Sequence, residues 1–150
     1  MADPTITPDA ALGSDANKRV VRRFIEEVFN HGNLGALREL IAPEHVSHEL
    51  IGDHYGPEGV RIDAAEYRAA FPDLHIEIED LVGEGDRVVR RFTATGTHTG
   101  PFMGVAPTGR AVVVTGIGID RVVGGRLIES WVHLDSLGLL RQLGAIRTSA

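Results

Sequence analysis

The chain has 150 residues, of which 43% are hydrophobic, and a formal net charge of −6. This length is typical of one domain that buries most of its apolar surface. The acidic balance provides no basic surface for nucleic acid, and no apolar run approaches the ~20 residues that cross a membrane. The absence of cysteine excludes disulfides, thiolate metal sites and a cysteine nucleophile. The amino terminus lacks the basic and apolar regions of a signal peptide, which favours a cytoplasmic location.

The amino-terminal segment differs in composition from the rest of the chain. It contains Pro4 and Pro8 and few side chains that could be buried, so we predict a disordered tail over residues 1–14. A single domain is predicted over residues 15–150. Within it, apolar residues with helical spacing predict three helices, over residues 15–30, 34–41 and 57–71. The segment 42–56 shows no regular period and is predicted to be irregular.

After Pro72 the apolar period changes from 3.6 to 2, which predicts strands. Four strands are predicted, around residues 75–79, 87–99, 110–123 and 126–135, with a short helix at 136–143. Gly124 and Gly125 predict a hairpin turn, because type I′ turns need a positive φ at both central residues. Long antiparallel strands twist and curl, so helices gathered on one face leave a hollow. The predicted fold is therefore α+β, a cone-shaped sheet on three helices, with a hollow suited to a small molecule.

Three segments resemble one known family. They are GTHTGPFMGVAPTGR (96–110), IDRVVGGRLIESW (119–131) and LDSLGLLRQLG (134–144). They are similar to the SnoaL-like polyketide cyclases, which belong to the nuclear-transport-factor-2-like superfamily, and the resemblance extends over residues 17–146. It implies a cone of α+β type and a cofactor-free cyclase or isomerase of secondary metabolism. It also implies aldol-type ring closure on a small, largely apolar polyketide-type substrate, and a homo-oligomer (dimer or tetramer) packed through the sheet.

The chain departs from the family pattern at two positions. The resemblance implies a carboxylate just after Trp131 and a histidine on the neighbouring strand, but Val132 and Gly118 occupy these places. A non-catalytic ligand-binding protein of the same fold is therefore the alternative function. A register slip of one residue would instead turn His133 inward. Epoxide opening is another chemistry of the superfamily, but its Asp-Arg-Asp trio has no evident counterpart here.

Ring closure needs a base for a carbon acid and a proton donor for the developing alkoxide. Histidine titrates near neutral pH, and the resemblance to the family fold turns His98 and His48 toward the hollow. Both are predicted to be catalytic, although His98 could instead bind the loop 100–109. Glu129 is a third catalytic candidate if a bulge turns the last strand; otherwise it forms a surface ion pair with an arginine. No metal site is predicted, because the histidines of residues 42–56 lack an evident carboxylate partner.

The substrate-binding residues are predicted from strand alternation, helix faces and the glycine-rich loop. Under the family register, the last strand turns Ser130 and Val132 inward and leaves Trp131 to contact a partner subunit. The loop residues Phe102 and Met103 are predicted to form a lip over the ligand. The full predicted set is Phe24, Tyr67, Phe92, Phe102, Met103, Ser130 and Val132. Asp120 is predicted to be structural and paired with an arginine.

Overall fold

The computed structural model of the chain describes residues 8–49 and 52–147. The helices are α1 (Pro8–Phe24), α2 (Leu37–Leu40), α3 (Gly56–Ala70) and α4 (Ser136–Gln142), with a π-helical turn (Ile25–Asn30) and a 3-10 turn (Leu34–Ala36). The strands are β1 (Ile41–Glu49), β2 (Gly52–Tyr55), β3 (His75–Glu84), β4 (Arg87–Thr97), β5 (Ala111–Val123) and β6 (Arg126–Leu134). They form one six-stranded sheet in the order β2-β1-β6-β5-β4-β3. The α+β class predicted from the sequence is confirmed.

The first helix differs from its prediction at both ends. It begins at Pro8, so residues 8–14 of the predicted tail are helical, and residues 1–7 lie outside the described residues. After Phe24 the chain continues as the π-helical turn rather than as an α-helix. The Asn30 side chain ties this turn to β3, because it accepts a hydrogen bond from Ile76 N (2.7 Å) and donates one to Ile76 O (3.0 Å).

The sheet has six strands rather than the four predicted, because residues 41–55 form two strands instead of an irregular segment. β1 pairs in parallel with β6 and antiparallel with β2. The strand signal was weak because Pro43 interrupts the start of β1 and β2 has only four residues. Once β1 is recognised as a strand, its side chains must alternate between two faces. This correction decides where the histidines of the segment point.

The helices cover one face of the sheet and enclose a cavity. One apolar cluster joins α1 and α2 to the sheet, with Val21, Leu37, Val88 and Leu127 as members. A second cluster lies at the other end, around Phe71 and Leu139. The cavity takes wall residues from both clusters. No helix among the described residues is long and apolar enough to cross a membrane.

Candidate active site

The main cavity lies between the helices and the concave face of the sheet. About 80 Å³ of it is open to a water-sized sphere, and its wall is mostly apolar. Five of the seven residues predicted to bind substrate lie on this wall: Phe24, Tyr67, Phe92, Ser130 and Val132. The β6 register inferred from the family resemblance, with Ser130 and Val132 inward, agrees with this geometry.

The other two predicted substrate-binding residues line a smaller hollow beside the main cavity. We call this hollow the antechamber; it is bounded by Glu49, Tyr67, Phe102, Met103, Val132, Leu134, Ser136 and Leu139. The Phe102 ring packs against Tyr67, with ring centroids 5.5 Å apart, and against Phe71, at 5.4 Å. Met103 is 43% exposed. The glycine-rich loop therefore borders the antechamber, as a lip would.

A chain of buried polar groups crosses the floor of the cavity. Arg90 Nε donates to Asp120 Oδ2 (2.7 Å), and Ser130 Oγ donates to Asp120 Oδ1 (2.7 Å). His45 Nε2 lies 3.1 Å from Ser130 Oγ. All four residues are almost completely buried, and Asp120 is fully buried. We call these residues the Arg90–His45 network.

The hydrogen bonds of the network determine the tautomer of His45. Asp120 accepts bonds from Arg90 and Ser130, as an ionised carboxylate does. Because the Ser130 hydroxyl proton is directed to Asp120, its oxygen must accept from His45 Nε2–H. His45 Nδ1 therefore carries a lone pair, and it is buried without a hydrogen-bond partner among the described residues.

The protonation of His45 is opposed by its surroundings. Burial lowers the pKa of His45, because a charged imidazolium would lose its hydration, and the negative charge of Asp120 opposes this shift. A neutral imidazole with a free nitrogen is the form that can take a proton. The charge that it would gain is stabilised through Ser130 by Asp120.

Two glycines of β5 create the space in which the network lies. A Cβ atom at Gly118 would lie 2.9 Å from Arg90 Cζ, and one at Gly116 would collide with the Phe92 ring. Without these side chains, Arg90 lies flat on the sheet, with its Cζ atom 5.3 Å from the Phe92 ring centroid. The contact adds a cation–π attraction. Gly118, which replaces the histidine that the family pattern implies, thus makes room for a buried arginine.

A second polar group lies elsewhere on the cavity wall. Ser47 Oγ donates to Glu49 Oε1 (2.9 Å), and His54 Nδ1 lies 2.5 Å from Asp63 Oδ1. Burial raises the pKa of Glu49, and the neighbouring charge of Asp63 adds to this shift. Burial also raises the pKa of Tyr67. The wall therefore carries carboxyl groups whose neutral forms are favoured by their surroundings.

The predicted role of His98 is not supported by its position. His98 follows the end of β4 and is fully buried, but it is not on the cavity wall. Its Nδ1 accepts from Thr108 N (3.2 Å) and lies 3.0 Å from Thr108 Oγ1, while its ring packs on Phe71. The Phe71 side chain also packs directly over Gly96. This end of β4 is therefore filled by α3, and His98 holds the loop 100–109.

The predicted inward positions of His48 and Glu129 are wrong. The alternation of β1 places His45 and Ser47 on the cavity face and His48 on the outer face, where it stacks on Trp131. His48 Nε2 lies 3.1 Å from Glu129 Oε2 and its Nδ1 lies 2.8 Å from Asp53 Oδ1. Glu129 also accepts from Arg121 (3.3 Å). The surface ion pair, which was the other interpretation of Glu129, is the one present.

The polar residues that β1 places on the cavity wall were not predicted from the sequence. His45, Ser47 and Glu49 alternate in the segment EHVSHE, and this period-2 pattern was the available signal. Asp120 was expected to pair with an arginine, and its partner is Arg90. The described residues contain no group of three or more histidines and carboxylates placed to hold a metal ion.

Comparison with known proteins supports the same assignment of the fold. The sequence profile of the SnoaL-like polyketide cyclases matches residues 19–143. The chain belongs to this family. A relative, aklanonic acid methyl ester cyclase AcmA of Streptomyces galilaeus, is 29% identical over 127 residues, which cover 83% of this chain and 88% of AcmA.

Two solved structures of Streptomyces proteins show how closely the fold is shared. Wild-type IdmH of Streptomyces antibioticus superimposes with a TM-score of 0.74 and 36% identity, covering 85% of this chain and 98% of IdmH. TsrD of Streptomyces laurentii superimposes with a TM-score of 0.80 and 31% identity, covering 88% of this chain and 97% of TsrD. The chain thus shares nearly the whole fold of these proteins.

The pKa values of the two histidines of β1 should be shifted in opposite directions from that of an ordinary histidine. Burial lowers the pKa of His45, whereas hydrogen bonds to Glu129 and Asp53 raise the pKa of His48. On acidification, His48 should therefore become charged first and His45 last. Ring nitrogen chemical shifts followed by NMR across the range around pH 6.5 will measure both. A pKa of His45 at or above that of His48 would contradict the assigned environments.

Removing the central carboxylate should destabilise the fold strongly. In Asp120→Asn, the buried Arg90 charge loses its counter-ion, which we expect to lower the free energy of unfolding by about 3–5 kcal/mol. The matched control is Asp80→Asn, because Asp80 forms an exposed pair with Arg91 at 2.6 Å; its loss should be about 0–1 kcal/mol. Urea unfolding measures both variants, and equal losses would show that burial of the pair has no special weight.

Proposed function

We propose that the chain is a cyclase or isomerase that acts on a small, largely apolar polyketide-type substrate by cofactor-free acid–base catalysis. The observation that carries the proposal is the free Nδ1 of a buried neutral imidazole, His45, on the wall of an apolar cavity. The relative AcmA is an aklanonic acid methyl ester cyclase, which supports the substrate class. The proposed base is therefore His45, and not His98 or His48, which were the candidates predicted from the sequence.

In the proposed reaction, His45 Nδ1 takes a proton from a carbon next to a carbonyl group. The resulting imidazolium keeps its Nε2–H bond to Ser130, and Asp120 stabilises the positive charge through Ser130. Arg90 holds Asp120 in place by its 2.7 Å bond. Since His45 Nδ1 is buried, the substrate must displace the side chains that cover it.

A non-catalytic ligand-binding protein is the second candidate, and Val132 favours it. Val132 lies on the wall of both hollows, where the family resemblance implies a carboxylate. The two candidates differ in product formation: both bind an apolar ligand, but only the first converts it. Binding without conversion, followed by conversion in a Val132→Asp variant, would favour the second candidate.

The base assignment is tested by His45→Gln. Glutamine can still donate to Ser130 but cannot take a proton at neutral pH, so we expect kcat to fall by about 100-fold or more. The assay is conversion of aklanonic acid methyl ester, followed by liquid chromatography with mass detection. The matched control is His75→Gln, because His75 is an exposed histidine near Glu77.

The control should keep the activity of the unaltered protein, and circular dichroism should show both variants folded. A folded His45→Gln protein with unchanged kcat would remove His45 as the base. The carboxyl groups of the cavity wall would then be the next candidates for the base.

We also propose that the outer face of the sheet joins two copies of the chain. The support is apolar exposure on β5: Val113 is 58% exposed, and Ile117 and Val123 are each 51% exposed. The outward Trp131, which stacks on His48, lies beside them on β6. A self-complementary apolar patch of this kind suits a two-fold interface.

The interface is tested by placing a charge at its centre. Ile117→Lys should shift the protein from dimer to monomer in sedimentation velocity at micromolar concentration, because a buried unpaired ammonium opposes association. Ile62→Lys is the control, since Ile62 is exposed on α3, on the helical side of the molecule. A monomeric unaltered protein, or a dimer that Ile117→Lys leaves intact, would refute the interface.

A further inference from the structure

Glu49 occupies a distinctive position at the junction of the two hollows. It lines both the main cavity and the antechamber. It lies on the same face of β1 as His45, four residues further along, which corresponds to about 13 Å of strand. Between them, Ser47 donates a hydrogen bond of 2.9 Å to Glu49 Oε1 and orients the carboxyl group. Two proton-transfer groups of different type therefore face one apolar space.

The charged groups around Glu49 come from three other elements. Asp63 of α3 and His54 of β2 are paired with each other at 2.5 Å, and Arg90 of β4 is paired with Asp120. Glu49 itself forms no ion pair within residues 8–49 and 52–147. The nearby cations are thus engaged with other carboxylates, while Asp63 contributes a like charge that raises the pKa of Glu49 together with burial. Of the two carboxyl groups on the wall of the main cavity, Glu49 and Asp63, Glu49 is therefore the one without an ion-pair partner among the described residues.

We infer that Glu49 is the general acid of the proposed ring closure and that His45 is the base. The inference rests on the proposed function, since it divides that reaction between two residues. A second, independent observation points to a ligand in this space: the buried Nδ1 of His45 has no partner among the described residues. Burial makes His45 harder to protonate and Glu49 harder to deprotonate, and pKa values pushed apart in this way are what a base and an acid in one site require.

The proton balance of an aldol-type closure is satisfied by these two groups. His45 Nδ1 takes the proton from the carbon acid, and the enolate carbon forms a bond to the carbonyl carbon. The electron pair of the broken C=O π bond goes to oxygen, which takes the proton of Glu49. Substrate and product are isomers, and solvent restores the proton of Glu49 and accepts the proton of His45.

This division of roles also orients the substrate. The carbon acid must approach His45 and the floor of the cavity, whereas the carbonyl group that is attacked must lie toward Glu49 and the antechamber. The substrate class is therefore an apolar compound with a ketone or aldehyde near the lip and an acidified C–H group in the interior. The Phe102 and Tyr67 rings border the carbonyl end.

The catalytic test is Glu49→Gln, which keeps the shape and the Ser47 contact but removes the transferable proton. With aklanonic acid methyl ester as substrate, we expect kcat to fall by about 100-fold and KM to change by less than about 3-fold. The alkaline limb of the pH profile of kcat/KM, which reports deprotonation of the acid, should disappear. The matched control is Glu44→Gln, because Glu44 is an exposed glutamate on the same strand, and its profile should match that of the unaltered protein.

A second readout needs no substrate. A protonated carboxyl group has a carbonyl-stretch band in the infrared spectrum that a carboxylate lacks. The unaltered protein and Glu44→Gln should show such a band with equal intensity at the pH of the assay, and its intensity should fall as the pH is raised. Glu49→Gln should show a weaker band, and any remainder is assigned to Asp63, whose pKa burial also raises. Circular dichroism confirms that all three proteins are folded.

The outcomes separate this inference from the proposed function. Unchanged kcat and an unchanged alkaline limb in Glu49→Gln would overturn the inference while leaving His45 as the base. A missing carboxyl band, or a band of equal intensity in the unaltered protein and Glu49→Gln, would overturn it even if the protein converts no substrate. Loss of activity in Glu49→Gln but not in His45→Gln would support Glu49 and overturn the base assignment.

Discussion

The ion pair of Arg90 and Asp120 is the interaction on which the arrangement of the cavity depends. Arg90 Nε and Asp120 Oδ2 lie 2.7 Å apart and almost completely buried, where burying either charge without the other would be strongly destabilising. The pair is possible because Gly118 leaves the space for the guanidinium group. Asp120 then orients Ser130, and Ser130 orients His45. A buried ion pair often adds little stability of its own. Here the pair fixes the hydrogen bonds of Ser130 and His45.

The same cavity produces opposite effects on its titratable groups. Burial disfavours the charged form of any group, so it lowers the pKa of His45 and raises those of Glu49 and Asp63. One physical cause therefore makes His45 harder to protonate and Glu49 harder to deprotonate. The wall around them remains apolar, which strengthens each electrostatic contact. The outer face shows the converse: there His48 lies between two carboxylates, which raise its pKa.

The sequence was informative where the apolar period was long and uninterrupted. The strand β5 alternates in burial along its length and most of β4 does so too, and the inward residues Phe92 of β4 and Ser130 and Val132 of β6 line the cavity as expected. The period failed in residues 41–55, where Pro43 and a four-residue strand conceal two sheet members. Because β1 was not recognised, His45 was not predicted as a cavity residue and His48 was predicted to point toward the hollow. The failure to recognise this one strand therefore put His48, rather than His45, on the cavity face.

By itself, the sequence determined the α+β class, the order of the helices and of the last four strands, the family and the apolar lining. These depend on local periodicity and on motifs that lie close together in the chain. Only the tertiary structure decided that His45, Arg90, Asp120 and Ser130 form one network, since they come from four different strands. It also decided that Phe71, directly after the third helix, packs against His98. Contacts between residues far apart in sequence depend on strand pairing and on the curvature of the sheet, which no local pattern encodes.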